Sequence, residues 1–563
     1  MASRAFAKAF EQADLKSSAI GWADWLADGI AKGGRSVFRW SRGAIGWIPA
    51  PRTYTVGDDD QVVPDALPDD EGVPASPQQE VEDQATAWAE QWGCGTDILD
   101  TVFPNITAFP EPPTTEDLTD AILSFPRDTA LGTDAFHPRA LLRMSAAILI
   151  AILALFVSCE RLGKWPTNVG DVLVALLPKS TGGLRPIGIF PSLVRLWMRT
   201  RAKFIKRWEK LNERSFFFAG AKKGANVALW LQAGAVEAAI LSQRIAAASL
   251  IDLVKAFERV GHQVLVDEAV ATSYPLWHLR LTLAAYKLTR RISINGIVSR
   301  IVVALRGLTA GSVTATTELR MLLLRTLDTL HKCFSDVMLQ VYVDDMFQFI
   351  ASTMKTVVMR LSAATLTLIR GLTKLKLEVS DTKSIGICSD PAAASALSAK
   401  LSDCGIVYCQ HAKSLGGDLI AAKIRSVPTQ AKRIADLRDK RTRIQQLRQS
   451  GVNTAALFRR GTSLAASWGI HVVGIADTAL QRWRTETARG CAAAAAGKNA
   501  DLVLMLADKQ PTDTTDPAFA AHALPLAHWA QAVWERWIPP DTLQTWFLNA
   551  RAHLAKAKTA STC

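Results

Sequence analysis

Val337-Met338-Leu339-Gln340-Val341-Tyr342-Val343-Asp344-Asp345-Met346-Phe347-Gln348-Phe349-Ile350 is the stretch on which the fold turns. Two apolar runs, Val337 to Val341 and Met346 to Ile350, flank a short element ending in two acids. That pattern predicts a β-hairpin with the paired acids at its bend. Neighbouring carboxylates repel, so such a pair is costly unless a cation or a base offsets it. Taken alone, an Asp-Asp pair reads as an ordinary polar turn. Between apolar strands it also reads as a pair of metal ligands. Phosphoryl transfer uses two cations about 3.5–4 Å apart, and magnesium accepts carboxylate oxygens completed by water and substrate phosphates.

Working outward, the apolar strand expected over Ala246 to Ile251 runs straight into Asp252, a possible third carboxylate. Leu253-Val254-Lys255-Ala256-Phe257 follows. Phe257 either closes off the 2′ side of a sugar or is a core residue of the next helix. Upstream, Leu141 to Arg161 predicts a helix ended by Gly163 and Pro166, and the apolar run at Ala146 to Cys159 reads as a buried core helix. A membrane span needs about 20 apolar residues. Val172 to Leu177 predicts a strand, with Pro178-Lys179 and a Gly182-Gly183 turn behind it. Downstream, Lys423 to Arg448 holds nine basic and two acidic residues, with Ile434, Leu437, Ile444 and Leu447 at helical spacing. This is a basic amphipathic helix whose charged face either tracks phosphates or simply meets solvent.

The chain has 563 residues, 65 of them basic and 52 acidic. No Lys or Arg falls between Thr53 and Pro126, where 17 acids lie, so the remainder carries 65 basic against 35 acidic residues. A polyphosphate polymer is the partner such a body suggests. Residues from Gly57 to about Asp83 are rich in Asp, Pro, Gly and Gln and predict a disordered acidic linker, with order resuming near Thr86. The eight cysteines are scattered, as in a reducing compartment. Cys404, Cys409 and His411 cluster without a zinc spacing and read as buried thiols. Gly490 to Lys498 has the wrong glycine interval for a phosphate-binding loop, and no metalloprotease or nucleophile-elbow pattern occurs. The N-terminus lacks an apolar signal core, and the chain is expected inside the cell, in the nucleus. Trp529, Trp534, Trp537 and Trp546 predict a small helical core in the tail rather than a stacking platform.

Ile251 to His262 resembles motif A of non-LTR retrotransposon reverse transcriptases, and Tyr342-Val343-Asp344-Asp345 resembles their motif C. Leu177-Pro178-Lys179 with Leu184-Arg185-Pro186-Ile187 is similar to the fingers motifs. Gly132-Thr133-Asp134, Gly163-Lys164-Trp165-Pro166 and Phe218 to Gly224 resemble further fingers elements, the last more loosely. Leu377 to Lys383 resembles motif D, and Lys413 to Gly417 the Leu-Gly element that opens the thumb. The resemblance covers about residues 115–450 in the family's order. It departs at motif B, Arg306 to Ser312, where Ala310 takes the place of a glutamine, and at Glu258, where Asp is usual.

That resemblance implies an α+β right-hand polymerase with fingers, an antiparallel palm sheet and a helical thumb. Asp252, Asp344 and Asp345 would hold two Mg²⁺ or Mn²⁺ ions, and Lys383 would give a proton to pyrophosphate. Lys179 and Arg185 would face the incoming triphosphate, Phe257 would gate the sugar, and Tyr342, Gly307 and Gly311 would complete the nucleotide site. Lys222, Lys223, Arg433 and Arg441 would contact nucleic acid. The implied partners are an RNA template, a DNA primer and dNTPs, with no membrane. DNA cleavage would come from an endonuclease-bearing partner or a lost domain, since none is expected ahead of the core. The expected layout is a basic, aromatic segment over 1–52, the acidic linker over 53–114, fingers and the start of the palm over 115–250, palm over 251–412, thumb over 413–500 and a helical appendage over 501–563. Two other readings stand beside this one: a decayed remnant that only binds nucleic acid, and an RNA-dependent RNA polymerase. The latter tends to carry a second Asp where Ala256 and Phe257 stand.

Overall fold

The structure is a computed structural model that describes residues 21–31, 37, 54–56, 62–64, 76–93, 102–179, 183–220, 223–491, 497, 499–508 and 514–560. The elements that position the site begin with helices α1 (Pro77–Gly93) and α2 (Ala146–Leu162) and strands β1 (Val172–Pro178) and β2 (Leu184–Ile189). Helix α3 (Ala225–Leu241) then leads into β3 (Ile245–Ile251), and a hairpin follows, β4 (Arg290–Ile294) with β5 (Ile297–Val302). Helix α4 (Ala315–Cys333) precedes β6 (Met338–Tyr342) and β7 (Asp345–Ser352), and α5 (Met354–Lys374) precedes β8 (Ile385–Cys388) and β9 (Tyr408–Cys409). The short hairpin β10 (His411–Ser414) and β11 (Gly417–Ile420) opens onto α6 (Pro428–Gln449), α7 (Asp477–Cys491), α8 (Pro517–Trp534) and α9 (Pro540–Ala560).

The main sheet has the order β9-β8-β3-β7-β6 and is antiparallel apart from the β8–β9 pair. Strand β3 lies in its middle, where alternation decides the packing. Ala247 faces the large core shared with α5, while Ala246 and Ala248 face a second core under α3. Methyl-sized side chains on both faces let helices cover the sheet from either side. A second sheet, β2-β1-β4-β5, pairs β1 with β4 in parallel and is otherwise antiparallel. Its β4–β5 hairpin comes from within residues 251–412, so the expected fingers and palm segments interleave rather than follow one another.

Three expectations are corrected. Part of the supposed linker, Pro77–Gly93, is a helix that buries Val81, Ala85, Trp88 and Trp92. Those four recur at helical spacing, and their apolar area outweighs the acidic composition around them. Helix α2 is not a buried core helix: Leu153, Phe156 and Cys159 face inward, whereas Ile148 and Ile150 are exposed. Cys404 and Cys409 are half-buried, and His411 pairs with Asp418 at 3.0 Å. No helix among the described residues is long and apolar enough to cross a membrane.

The tail tryptophans do form a core, but on a foreign foundation. Trp529 and Trp537 lie 5.6 Å from the Trp230 ring of α3, and Trp546 lies 6.1 Å from it. Trp534 is the exception, at 88 % exposure. On α6, Ile434, Leu437, Ile444 and Leu447 are all buried. Its first turn is capped by Asp418, which accepts hydrogen bonds from the Thr429 and Gln430 amides at 3.0 Å.

Candidate active site

Tyr342 pairs with Asp345 across the β6–β7 hairpin, so Val343 and Asp344 form a two-residue loop. Val343 has φ +61°, a left-handed conformation that a β-branched residue adopts at a cost of about 1–3 kcal/mol. The surroundings hold it there. The Val341 amide donates to the Phe216 carbonyl at 2.8 Å, and the Phe218 amide donates to the Val341 carbonyl at 2.9 Å, pinning the outer edge of β6. The tight turn leaves the Asp344 carboxyl half-buried and that of Asp345 exposed.

Ile251 pairs with Met346, so the next residue, Asp252, comes level with Asp345 on the neighbouring strand. The Asp252 backbone is fixed on both sides: its amide donates to Ser384 Oγ at 3.2 Å, and its carbonyl accepts from the Ser380 amide at 2.9 Å. Lys383 Nζ lies 3.6 Å from Asp252 Oδ1. The three acids feel one another. Crowding by surrounding atoms, then the charges of Asp344 and Asp252, push the Asp345 carboxyl up to about 7, with Lys383 opposing. Its solvent-facing side softens the first of these causes. Asp344 is raised by burial and by Asp252, while Arg185 and Lys383 pull it down. A cleft of about 80 Å³ is lined by Asp252, Gln340, Tyr342, Asp345, Lys383 and Lys413, among others.

Among the described residues no three His, Cys, Asp or Glu side chains are closed into a ready-made metal cage. The fit to a divalent cation rests instead on charge and donor chemistry. Three hard oxygen donors whose mutual repulsion Lys383 and Arg185 only partly offset suit magnesium or manganese, which complete their shells with water and phosphate.

The loop from Arg306 to Ser312 is threaded between two backbones. Gly307 has φ +95°, donates its amide to the Val260 carbonyl at 2.8 Å, and leaves no room for a Cβ, which would stand 2.7 Å from the Glu258 oxygen. Gly311, at φ +118°, lies against the Gly188 carbonyl, and the Gly188 amide donates to Ala310 at 2.6 Å. The Leu308 amide donates to the Phe257 carbonyl at 2.6 Å, and the Phe257 ring packs, half-buried, on the core. His262 closes the stretch that resembles motif A. Burial holds it down at about 4, so it is neutral and donates Nε2–H to the Gly307 carbonyl at 3.0 Å.

Lys179 and Arg185 sit exposed at adjoining ends of β1 and β2, where Leu177 pairs with Arg185 and the Lys179 amide donates to the Gly183 carbonyl at 2.9 Å. Lys222 lies outside the described residues. The other three residues expected to contact nucleic acid each have a partner within the chain. Lys223 donates to Glu213 and to the Phe217 carbonyl, both at 2.9 Å. Arg433 donates to the carbonyls of Trp468 and Gly416, at 3.0 and 2.6 Å, and Arg441 pairs with Glu486 at 3.3 Å. The Arg433 and Arg441 donors tie α6 to its neighbours, and on the same helix Lys432, Arg438 and Arg443 are exposed.

Paired acids on a tight hairpin, a third acid level with them and a glycine loop alongside, all on an antiparallel sheet, define a right-hand polymerase. Residues 177–416 match the family model described as reverse transcriptase (RNA-dependent DNA polymerase). The chain carries a reverse transcriptase domain, running from β1 to the turn between β10 and β11. No curated protein is significantly similar to the chain. Among solved structures it is similar to apo telomerase from Candida tropicalis truncated from the C-terminal domain, at 10% identity and a TM-score of 0.33. That similarity covers 53% of this chain and 63% of the telomerase chain, less than two thirds of its length.

Proposed function

We propose that this chain is the RNA-directed DNA polymerase of a non-LTR retrotransposon, copying an RNA template by extending a DNA primer with dNTPs. The observation that carries the reading is the mutual repulsion of Asp252, Asp344 and Asp345 at neighbouring strand ends. In the reaction, the primer 3′-oxygen bonds to the α-phosphorus of a dNTP and loses its proton. The α-phosphorus to bridging-oxygen bond breaks, and pyrophosphate leaves with a proton. Magnesium or manganese, held by the three carboxylates, would supply the positive charge that steadies both oxygens. Lys383, close to Asp252, is the proposed proton donor to pyrophosphate. Lys179 and Arg185 would grip the triphosphate, one as a point charge and one as a planar fork. Tyr342 would floor the site, the backbone at Gly307 and Gly311 would admit nucleotide and template, and Phe257 would exclude a 2′-hydroxyl. A nuclear location and a partner that nicks DNA belong to the same proposal.

Because α1 and the tail helices pack on the domain, the full chain is the protein to assay. Primer extension on an RNA template with Mg²⁺ or Mn²⁺ is expected from wild type, and Asp344→Ala should lower it at least about a thousandfold. Equal synthesis by Asp344→Ala, or none by wild type, would sink the reading. Ala310 favours a second one, a domain that binds nucleic acid without polymerising. Salt-sensitive RNA binding that survives Asp252→Ala, with no synthesis by either protein, would establish that instead. Preference for ribonucleotides would point to an RNA-dependent RNA polymerase.

A further inference from the structure

Three cations gather at one end of the site. Arg185 acts on Asp344, while Lys179 and Lys255 both act on Glu258, which also feels Asp344. Among the described residues, Lys179, Arg185 and Lys255 have no carboxylate within ion-pair reach. Arg259, by contrast, is taken by Glu378. Lys255 is the newcomer. It sits at φ +48° in the turn that follows Asp252, and its ammonium lies 4.8 Å above the ring centroid of Trp88 in α1. Burial, then the charges of Arg259 and Lys179, hold that ammonium below the usual lysine range, against the pull of Glu258.

The ring beneath it is firmly held. Trp88 is buried and stacks on Trp92 at 5.3 Å, and Arg290 covers Trp92 at 4.3 Å. The Leu305 amide donates to the Trp92 carbonyl and Arg306 Nε to the Gln91 carbonyl, both at 2.9 Å. Helix α1 is thus fastened to the segment entering Gly307 while its tryptophan supports a side chain from the Asp252 turn. A cation resting on an aromatic face for stability alone has no need of a second ammonium nearby. Like charges assembled with no carboxylate in ion-pair contact are offset by an anion, and the anion this end of the site would receive is a polyphosphate.

We propose that Lys255 is a further triphosphate-binding residue and that Trp88 is the positioning residue that aims it. The proposal rests on the polymerase reading but is tested apart from it. The full chain is titrated calorimetrically with inorganic tripolyphosphate in magnesium buffer. Wild type binds; Lys255→Ala weakens binding about tenfold, the scale of one lost charge-assisted contact, and Lys255→Arg retains most of it. Trp88→Ala weakens binding several-fold, Trp88→Phe retains most of it, and Trp88→Ala adds nothing once Lys255 is alanine. No binding by wild type, Lys255→Ala binding like wild type, or additive losses in the double variant would overturn the proposal. Wild type that binds with this pattern yet makes no DNA sinks the polymerase reading and leaves the anion site standing. In an active enzyme the same variants raise the dNTP KM and leave kcat near its original value.

Discussion

At the scale of single residues, Phe257 is the proposed gate at the sugar. Its half-buried position serves the core and leaves part of the ring open, while its carbonyl ties it to Leu308. Phe257→Ala should raise the ratio of ribonucleotide to deoxynucleotide kcat/KM about tenfold, as loss of a steric gate does. The measurement is single-nucleotide incorporation with matched dNTP and rNTP. Equal loss for both nucleotides would make Phe257 a packing residue only. The acids at positions 252, 344 and 345 were legible only through the order of the motifs around them, since an Asp-Asp pair taken alone reads as a polar turn. The partners of Arg433 and Arg441 within the chain were not legible, because Trp468 and Glu486 arrive from distant segments. His262 lay in plain view, yet its acceptor is a loop glycine 45 residues away.

At the scale of elements, Asp418 joins the β10–β11 hairpin to the thumb. Burial alone would raise its carboxyl, but hydrogen bonds from Thr429, His411 and Gln430 outweigh that and hold it below its ordinary 3.8. A depressed acid stabilises above its unfolded value and loses that contribution as pH falls through its lower folded one. Asp418→Ala should therefore cost about 1–2 kcal/mol at neutral pH. Amide exchange in the first turn of α6 should speed up in the variant, and unchanged exchange would refute the cap. The basic amphipathic character of α6 was readable from its stripe, whereas this cap was not, because eleven residues and a turn separate Asp418 from Thr429. Helix α1 was hidden differently. Its stripe of Val81, Ala85, Trp88 and Trp92 was present, but averaged acidic composition obscured it.

At the scale of the whole molecule, stability should carry a pH signature from Glu318. This side chain of α4 is fully buried, accepts from Tyr286 at 2.5 Å and Thr314 at 2.8 Å, and is pushed by burial from 4.5 up to about 7. The folded state binds its proton more tightly than the unfolded one. Its contribution is complete below pH 4.5 and drains away as pH rises to about 7, by at most about 3 kcal/mol. Tm measured across that window should fall less steeply in Glu318→Gln than in wild type; parallel slopes would refute the assignment. The right-hand class was legible at this scale from the order of its motifs. The interleaving of its two sheets was not, since strand partners follow from three-dimensional closure rather than local pattern.

The tryptophan seat on α3 has a consequence in time. Trp230 leaves the ribosome well before α8 and α9, which cover it. Until they emerge, an aromatic face beside the strand leading to Asp252 stays open to water and to other chains. Contacts this remote in sequence form late and slow folding, so a nascent chain stalled before Pro517 would be the aggregation-prone species.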